Sequence, residues 1–485
     1  MAVCWFLCLA VFSYPLSAER VAHKRILHEA DSFLTRGHGA REFEQQKKQT
    51  KETSNGTRTE AKVGLPKCSD GILQLDGVYE VKKPEEVLVE GPSCLVTGSA
   101  ELHLWAPVRF QGSLVLAGQL NVKAAGGGGR VNAYAPCVAI EGNFALHPEA
   151  RLSIQGCQNL GEFNLAVLTR GASDKGHAGK GGCLHIGGDA DLLGGQLLLH
   201  ECNARKGLGG GMHVKGRLES RSATIDAGRC DAMYGGAIAA SNNMNVSGGK
   251  VTITESAARS GGAIYAWNMM DVSGGSVTIT KSEALKDGGA IMARSMDVSG
   301  GNVTITESEA TINGGAIAAQ DMNVSGGSVS IRESAAKYAG GAIRAWSMHV
   351  SGGGVTITKS EALKDGGAVR AFNNMIVSGG NVTITESKAS KGGGAVYAEN
   401  MKVSGGNVTI TKSEALQDGG AVYAENMIVS GGGVSINEAE ARYDGGCIYT
   451  LYDFTNPGGA VSFEGCKALH EGGDIFSRGN KRQRR

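Results

Sequence analysis

The chain has 485 residues, of which 75 are glycine, while aromatic residues make up only 5%. Its hydrophobic core must therefore consist mainly of aliphatic and small side chains. The formal net charge of +1 excludes a strong general attraction to nucleic acid, and no nucleic-acid partner is expected.

Residues 1–18, MAVCWFLCLAVFSYPLSA, predict a secretory signal peptide, because an apolar run of suitable length ends in small residues. The alternative is a short membrane anchor, but the run is short for a membrane span, and no later segment predicts one. We therefore expect a secreted or surface-displayed protein. Residues 19–66 are polar and charged and predict a disordered leader.

Sequons and cysteines also bear on secretion. The six N-x-S/T sequons, candidate glycosylation sites, are Asn55, Asn245, Asn302, Asn323, Asn381 and Asn407. Of the 11 cysteines, Cys4 and Cys8 lie in the predicted signal peptide, which leaves an odd number in the mature chain. At least one is therefore unpaired or bonded to another chain.

Residues 67–180 contain short apolar segments such as GILQLDGVYEV and GSLVLAGQLNV, broken by glycine and proline. These segments predict short strands, but they show no constant period. We interpret this region as an irregular, β-rich N-terminal cap with degenerate first coils.

Residues 181–476 repeat one phrase, typified by GGAVYAENMKVSGGNVTITKSEALQD, in steps of 26 or 27 residues. A repeat of this length predicts a solenoid. Constant and variable positions alternate within GGAIYA, M-x-V, VTIT and S-x-A, which indicates strands packed on one side. The sequence therefore predicts an all-β fold, a parallel β-helix of about eleven 26-residue coils. Residues 477–485 form a basic tail.

Glycine pairs are expected at the corners between strands, because glycine adopts positive φ and lets backbones approach closely. The predicted corner residues are Gly235, Gly236, Gly261, Gly262, Gly288, Gly289, Gly314, Gly315, Gly340, Gly341, Gly366, Gly367, Gly393, Gly394, Gly419, Gly420, Gly445 and Gly446.

The residue after each VTIT-like segment is charged, and its sign mostly alternates between coils. These residues are Glu255, Lys281, Glu307, Glu333, Lys359, Glu386, Lys412 and Glu438. Because stacked coils bring equivalent residues together, we interpret the row as a structural charge ladder rather than a binding site.

The recurring GGA[IV] motif, as in Gly235-Gly236-Ala237-Ile238, resembles the passenger domains of chlamydial polymorphic outer membrane proteins. In that family it accompanies FxxN, an element that falls here on Ile253–Ser256 and keeps its aromatic residue only at Phe463. The resemblance covers about residues 181–476, the passenger-like region, without an autotransporter barrel. It implies a right-handed β-helix of the pectin lyase-like type that is exposed at a surface and used in adhesion.

One candidate metal site lies in the least regular coils. Alignment to GGAIYA places Cys183 and His185 outward on one coil and His213 one coil away. Cysteine and histidine are common metal ligands, so a weak metal site is one hypothesis. The alternative, which we favour, is two exposed histidines beside a free or disulfide-bonded cysteine.

Four other cysteines map to the inward position of Ser256. They are Cys157, Cys202, Cys230 and Cys466. Stacked neighbours could form disulfides, or buried thiols could serve as packing, and we favour packing.

Catalytic groups are harder to find in the repeats. Asp287, Asp365, Asp418 and Asp444 each precede a glycine pair, a position where aspartate commonly stabilises a turn. Paired carboxylates with unlike environments would be needed for acid/base chemistry. We therefore expect no enzyme and no cofactor, but keep a carbohydrate-active enzyme in coils 130–215 as the alternative.

Outward threonine pairs form a further pattern. They are Thr252/Thr254, Thr278/Thr280, Thr304/Thr306, Thr356/Thr358, Thr383/Thr385 and Thr409/Thr411. They resemble the T-x-T face of insect β-helical antifreeze proteins, which makes ice binding a third hypothesis. The preferred hypothesis is a secreted or surface-displayed, non-catalytic adhesin-like or structural matrix protein whose partners are cell-surface glycans or proteins.

Overall fold

The computed structural model describes residues 61–89, 91–126, 131–161 and 179–479. The predicted signal peptide, most of the leader and Asn55 lie outside these ranges. The fold is all-β, with 64% strand and 1% helix, and it forms a parallel β-solenoid of about 15 turns with coils of about 26 residues. The predicted all-β parallel solenoid is confirmed.

One coil shows how the repeat folds. After the corner at Gly288, strand Ile291–Val298 runs to the turn at Ser299, and strand Asn302–Ala310 leads to the next corner. Alternate side chains, such as Ile291, Ala293 and Met296, point into the solenoid and are buried. Alternation of this kind is what a strand with one buried face requires.

Equivalent residues of successive coils lie in parallel register. Ile279 pairs with Ile305, which pairs with Ile331, and Val277, Val303 and Val329 follow the same order. Neighbouring coils are therefore about 4.8 Å apart, the normal interstrand spacing. Because a single coil cannot cover its own apolar side chains, each coil is stabilised by its neighbours.

The count of about eleven coils was too low. The described residues of the 67–180 region, expected as an irregular cap with degenerate first coils, belong to the same stack: Val138 pairs with Val108 on one side and with Leu184 on the other. Leu and Phe fill the core there, with Phe144 among its largest buried side chains. Coil lengths in this region are unequal, so the sequence shows no period although the inward alternation persists.

The strands before the regular repeats are short. They are β1 Lys62–Val63, β2 Ile72–Gln74, β3 Gly77–Val81, β4 Glu85–Val87, β5 Ser93–Thr97, β6 Ser99–Leu104, β7 Val108–Phe110, β8 Ser113–Leu116, β9 Gln119–Ala124, β10 Val131–Ala133, β11 Val138–Ile140, β12 Phe144–Leu146, β13 Arg151–Gln155, β14 Cys157–Asn159, β15 Leu184–Ile186, β16 Ala190–Leu192, β17 Gln196–His200, β18 Asn203–Leu208, β19 Met212–Val214, β20 Leu218–Ser220, β21 Thr224–Gly228 and β22 Asp231–Tyr234.

In the regular repeats, neighbouring strands often merge across a bend. These strands are β23 Ile238–Ala240, β24 Met244–Val246, β25 Lys250–Ser260, β26 Ile264–Val272, β27 Ser276–Ala284, β28 Ile291–Val298, β29 Asn302–Ala310, β30 Ile317–Val324, β31 Ser328–Ala336, β32 Ile343–Ala345, β33 Ser347–Val350, β34 Gly354–Ala362, β35 Val369–Val377, β36 Asn381–Ala389, β37 Val396–Ala415, β38 Val422–Ala441, β39 Ile448–Thr455, β40 Ala460–Glu464, β41 Lys467–Ala468 and β42 Ile475–Ser477.

The glycine pairs occupy the corners for two different reasons. The first glycine has positive φ, as at Gly314 with φ 63°, a conformation that other residues rarely adopt. The second has no room for a side chain: a Cβ on Gly315 would lie 2.0 Å from the carbonyl oxygen of Gly341. The same arrangement recurs at the other predicted corner pairs from Gly235 to Gly446.

The charged row after VTIT has a feature that the sequence did not predict. Every member, from Glu255 to Glu438, has φ between 51° and 56°. This left-handed conformation is unfavourable for residues other than glycine, and asparagine and aspartate tolerate it best. Among the members of this row, all of which the structure describes, Lys359 and Glu333 form the one ion pair, at 3.6 Å. Each member is therefore a tight bend of its own coil that carries a charged side chain.

Disulfides join the beginning and the end of single coils. Cys137 is bonded to Cys157, Cys183 to Cys202 and Cys447 to Cys466, and the partners are 19 or 20 positions apart in the sequence. A fourth bond, Cys68–Cys94, spans 26 residues. The inward position of Cys157, Cys202 and Cys466 matches the sequence interpretation, but the favoured role as free packing thiols is wrong for these three.

Cys230 is the free, buried cysteine of the described residues. Burial raises the pKa of its thiol to about 12, so it is an inert packing group at neutral pH. Within the described ranges, no helix has the length and apolar character needed to cross a membrane.

Candidate functional site: the outer column

One set of variable positions in the solenoid forms an outward line, which we call the outer column. It consists of the second residue of the first strand of each coil, in parallel register. Its members are Glu86, Arg109, Ala139, His185, His213, Ala239, Tyr265, Met292, Ala318, Arg344, Arg370, Tyr397, Tyr423, Tyr449 and Phe476. In the regular coils the inward neighbours on either side are nearly constant, Ile or Val before and Ala after, so this line varies against a constant core.

His185 and His213 form a buried pair in the outer column. Their side chains are 3% and 1% exposed, and their Nδ1 atoms are 3.0 Å apart. The ring planes differ by 4° while the ring centres are 5.0 Å apart, so the rings meet edge to edge and share a hydrogen bond. Nε2 of His213 lies 2.8 Å from Oγ of Ser241.

The predicted metal site is not assembled. The Cys183 sulfur is buried and bonded to Cys202, so it is not a thiolate ligand. The described residues contain no group of three His, Cys, Asp or Glu side chains that could hold a metal ion. Burial is also the main reason that the pKa of His213 is lowered to about 3. The expectation of two exposed histidines is wrong as well.

Cys183 faces inward because alternation does not extend into the corner. In the regular coils the amides of Ala263 and Ile264 both donate to the carbonyl oxygen of Ala290. Two consecutive amides on one acceptor form an irregularity that shifts the alternation by one residue. The residue after the glycine pair therefore points inward in these coils, as Ala263 does. Cys183 occupies the same position and is buried, although the amides of Cys183 and Leu184 donate to separate carbonyl oxygens, those of Gly210 and Gly211.

Aromatic rings stack at the C-terminal end of the outer column. Ring centres are 4.4 Å apart for Tyr397 and Tyr423, 4.8 Å for Tyr423 and Tyr449, and 5.3 Å for Tyr449 and Phe476. The planes differ by less than 20°. Because each ring face covers the next ring, the stack presents ring edges outward and acts mainly as packing.

Two arginines precede this stack on adjacent coils. Arg344 and Arg370 pair in register. The Arg370 guanidinium carbon lies 3.9 Å from the ring centre of Tyr397 and 4.4 Å from that of Phe372. The Arg344 guanidinium carbon lies 4.8 Å from the Phe372 ring centre. Burial lowers the pKa of both arginines from its usual value.

Large aromatic side chains flank the outer column two residues further along the chain. Trp267 is 43% exposed and Trp346 is 48% exposed. The Trp346 ring lies nearly parallel to that of Phe372, with centres 6.4 Å apart, whereas Trp267 contacts Tyr265 at a tilt. Exposed tryptophan beside arginine is typical of binding surfaces.

In the repeats this position is occupied by Tyr, Ala, Met or Arg, and the sequence alone predicted no function for it. The available signal was the contrast between variable Tyr265, Met292 and Arg344 and the constant Ile and Ala beside them. What the repeat could not reveal was the packing of Arg344 and Arg370 against Phe372, which depends on side chains from two adjacent coils.

The aspartates before the glycine pairs bond to neighbouring coils. Oδ1 of Asp418 accepts the amide of Asp444 at 3.2 Å, and Oδ1 of Asp444 accepts the amide of Glu471 at 3.1 Å. Asp287 accepts the side-chain amide of Asn313 at 2.9 Å. These contacts favour the structural role expected for turn aspartates. Asp365 differs: its carbonyl oxygen accepts the amide of Gly340 at 3.0 Å, but no hydrogen bond to its carboxylate is found among the described residues.

A shallow groove crosses the irregular coils near residues 99–155. Its lining includes Gln119, Asn121, Lys123 and Arg151. None of the described residues that line it is acidic, so it offers no carboxylate pair. A longer groove follows the charged bends, from Lys281 to Lys388, and is lined by alternating glutamates and lysines.

The predicted threonine rows lie in register. Thr278 pairs with Thr304, and Thr280 pairs with Thr306. Arg332 interrupts the second row between Thr306 and Thr358, and its exposed guanidinium bonds to Glu333 at 3.1 Å. The face is therefore divided by a projecting charged side chain.

The structure places the sequons in different environments. Asn302, Asn323, Asn381 and Asn407 are exposed, whereas Asn245 is half-buried with an enclosed Oδ1. Nδ2 of Asn407 lies 3.4 Å from Oδ1 of Asn381 on the adjacent coil. These two sites are too close together to carry two unhindered glycans.

No protein-family model, no curated protein and no solved structure matches the chain. The resemblance to the chlamydial passenger domains therefore stays a prediction based on the GGA[IV] repeat.

Proposed function

We propose that the protein is a non-catalytic binding module, secreted or displayed at a cell surface, that recognises cell-surface glycans or proteins through its outer column. The observation that carries this proposal is the contrast between constant inward residues and a chemically varied outward line. The groups best suited to recognition are the Arg344–Arg370 pair on that line and Trp267 and Trp346 beside it.

The solenoid supplies what such a surface needs. Coils at a fixed spacing hold side chains in a rigid array, which lowers the entropy lost on binding. Tryptophan and arginine are the residues that contribute most often to binding free energy. An adhesin-like or matrix role follows if the array contacts an extended polymer along the rod axis.

The rival hypotheses have weaker support. A carbohydrate-active enzyme needs two carboxyl groups in one cleft, but no acidic residue lines the groove at described residues 99–155, which reaches the irregular coils. In the repeats, Asp418 and Asp444 are engaged by backbone amides. Ice binding needs a flat, uninterrupted face, but Arg332 projects from the threonine rows.

A glycan array and a cell-binding screen test the proposal directly. The full chain and an enzymatically deglycosylated sample should bind a defined subset of glycans or a cell-surface protein, and a Trp346→Ala variant should bind more weakly. Polymer-cleavage and thermal-hysteresis assays run in parallel. Failure to bind any glycan or cell, together with polymer cleavage or thermal hysteresis, would overturn the proposal.

A further inference from the structure

The Arg344–Arg370 pair places two positive charges next to each other in a largely buried position. In the charged row, signs mostly alternate, as in Glu333 and Lys359, and the like charges that stack elsewhere include exposed carboxylates such as Glu283 and Glu309. Here two guanidinium groups occupy adjacent coils in register, and Arg370 is only 9% exposed. Neighbouring like charges in a partly buried setting are unfavourable unless an anion offsets them.

No carboxylate of the described residues forms an ion pair with either arginine. Asp287 acts on Arg344, and Asp365, Glu399 and Glu425 act on Arg370, only through longer-range electrostatics. Nε of Arg344 is buried without a hydrogen-bond partner among the described residues. The pair is therefore charged, held in place and incompletely compensated.

Aromatic packing fixes the orientation of the Arg370 guanidinium. The group lies over Tyr397 and against Phe372, while its Nη1 donates to the carbonyl oxygens of Ala371 at 2.8 Å and Tyr397 at 3.4 Å. No described residue accepts from Nε or Nη2 of Arg370. A guanidinium presents two parallel donors along this Nε–Nη2 edge, which suits a carboxylate or a sulfate.

We propose that Arg344 and Arg370, with Trp346, Phe372 and Tyr397 around them, form a subsite for the anionic group of an acidic sugar residue. The carboxylate or sulfate of the sugar accepts from the two guanidinium groups, and the half-exposed Trp346 covers the sugar ring. This inference rests on the proposed function and adds a ligand class to it.

Binding of three polymers to the full chain tests the subsite. Polygalacturonate supplies carboxylates, dextran sulfate supplies sulfates, and dextran is the neutral control. We expect the chain to bind at least one of the anionic polymers and to bind dextran much more weakly. Replacing both arginines, Arg344→Gln with Arg370→Gln, should weaken that binding roughly a hundredfold, since each charge-assisted bond contributes about a factor of ten.

Two matched variants separate the subsite from general charge attraction. Arg332→Gln removes the same charge from an exposed residue on a different strand and should change binding by no more than about twofold. Arg344→Lys with Arg370→Lys keeps the charge but loses the parallel donors, so binding should weaken roughly tenfold. Circular dichroism and melting curves establish that each variant folds.

A gain of binding tests the subsite independently of variants that remove an arginine. Glu399→Gln removes a negative charge near Arg370 and should tighten binding to the anionic polymer by about two- to threefold.

The outcomes distinguish the subsite from the proposed function. Wild-type binding that survives in the double Gln variant, or that falls equally in Arg332→Gln, would overturn the subsite. Binding to cells or neutral glycans alone would also overturn it and leave the proposed function in place. Binding to nothing in either screen would overturn both.

Discussion

The first coils and the repeated coils fill and stabilise their interiors in different ways. Coils before residue 235 fill their interior with large side chains such as Phe144, Leu146 and Leu192, and they contain three of the four disulfides. Coils after residue 235 stack Ile, Val, Ala and Met from identical positions. The comparison shows that exact repetition substitutes for large side chains and covalent links, provided that every corner fits its neighbours.

The largest effect is expected where repetition leaves no space. Gly315→Ala places a Cβ 2.0 Å from a backbone oxygen of the next coil, so we expect destabilisation by more than about 3 kcal/mol. Gly354→Ala is the matched control, because its nearest neighbour is 4.0 Å away and its φ is ordinary. Urea unfolding monitored by circular dichroism measures both. Equal midpoints would show that the corners are not tightly packed.

The first coils should depend on their covalent links. Replacing Cys183 and Cys202 by alanine should destabilise the protein by roughly 3 kcal/mol, as expected for a loop of about 20 residues. Urea unfolding of the double variant, with and without reductant, measures this effect. A variant as stable as the parent under oxidising conditions would contradict the proposed role.

Gly211→Cys tests the covalent links in the opposite direction, because it should add a disulfide rather than remove one. Its Cβ would lie 3.4 Å from the Cys230 sulfur, which is close enough for the within-coil bond found at three other places. The same Cβ lies 2.8 Å from the Ala237 oxygen, so the gain should be smaller than the loss above. Mass spectrometry should find a new disulfide between residue 211 and Cys230, and a free thiol at both positions would contradict the geometry.

The buried histidine pair predicts acid sensitivity of the first coils. The pKa of His213 is lowered to about 3, below that of an unfolded histidine, so the unfolded state binds more protons between pH 6.5 and 3. Stability should therefore fall as the pH decreases through this range, by about 2–3 kcal/mol at pH 4.5. His213→Gln should reduce this slope in urea titrations at several pH values. An unchanged slope would mean that His213 is protonated in the fold.

The smallest effect is expected at the charged bends. Glu307 has φ 53°, so Glu307→Gly relieves an unfavourable backbone conformation and should stabilise the protein by up to about 1 kcal/mol. Glu309→Gly, on the same strand without positive φ, should be destabilising instead. Melting temperatures of the two variants compare them, and the same sign for both would contradict the conformational explanation.

The repeated sequence was enough to predict most of the fold, but it predicted little of the outer column and its arginine pair. Alternation in VTIT and the spacing of glycine pairs were enough to predict stacked parallel coils. Alternation failed at Cys183, because the corner shifts it by one residue, and the left-handed bend at Glu307 carried no glycine signal. The Arg344–Phe372 contact could not be predicted, because it depends on rotamers chosen by residues from different coils.

The distance between equivalent residues tests the stacking on which the whole account rests. Lys250 and Asn407 are exposed and occupy the same position six coils apart. Spin labels on Lys250→Cys and Asn407→Cys, measured by pulsed electron paramagnetic resonance, should give one narrow distribution near about 29 Å, six interstrand spacings. A broad distribution at clearly longer distances would mean that the repeats do not stack, and would contradict the outer column as well.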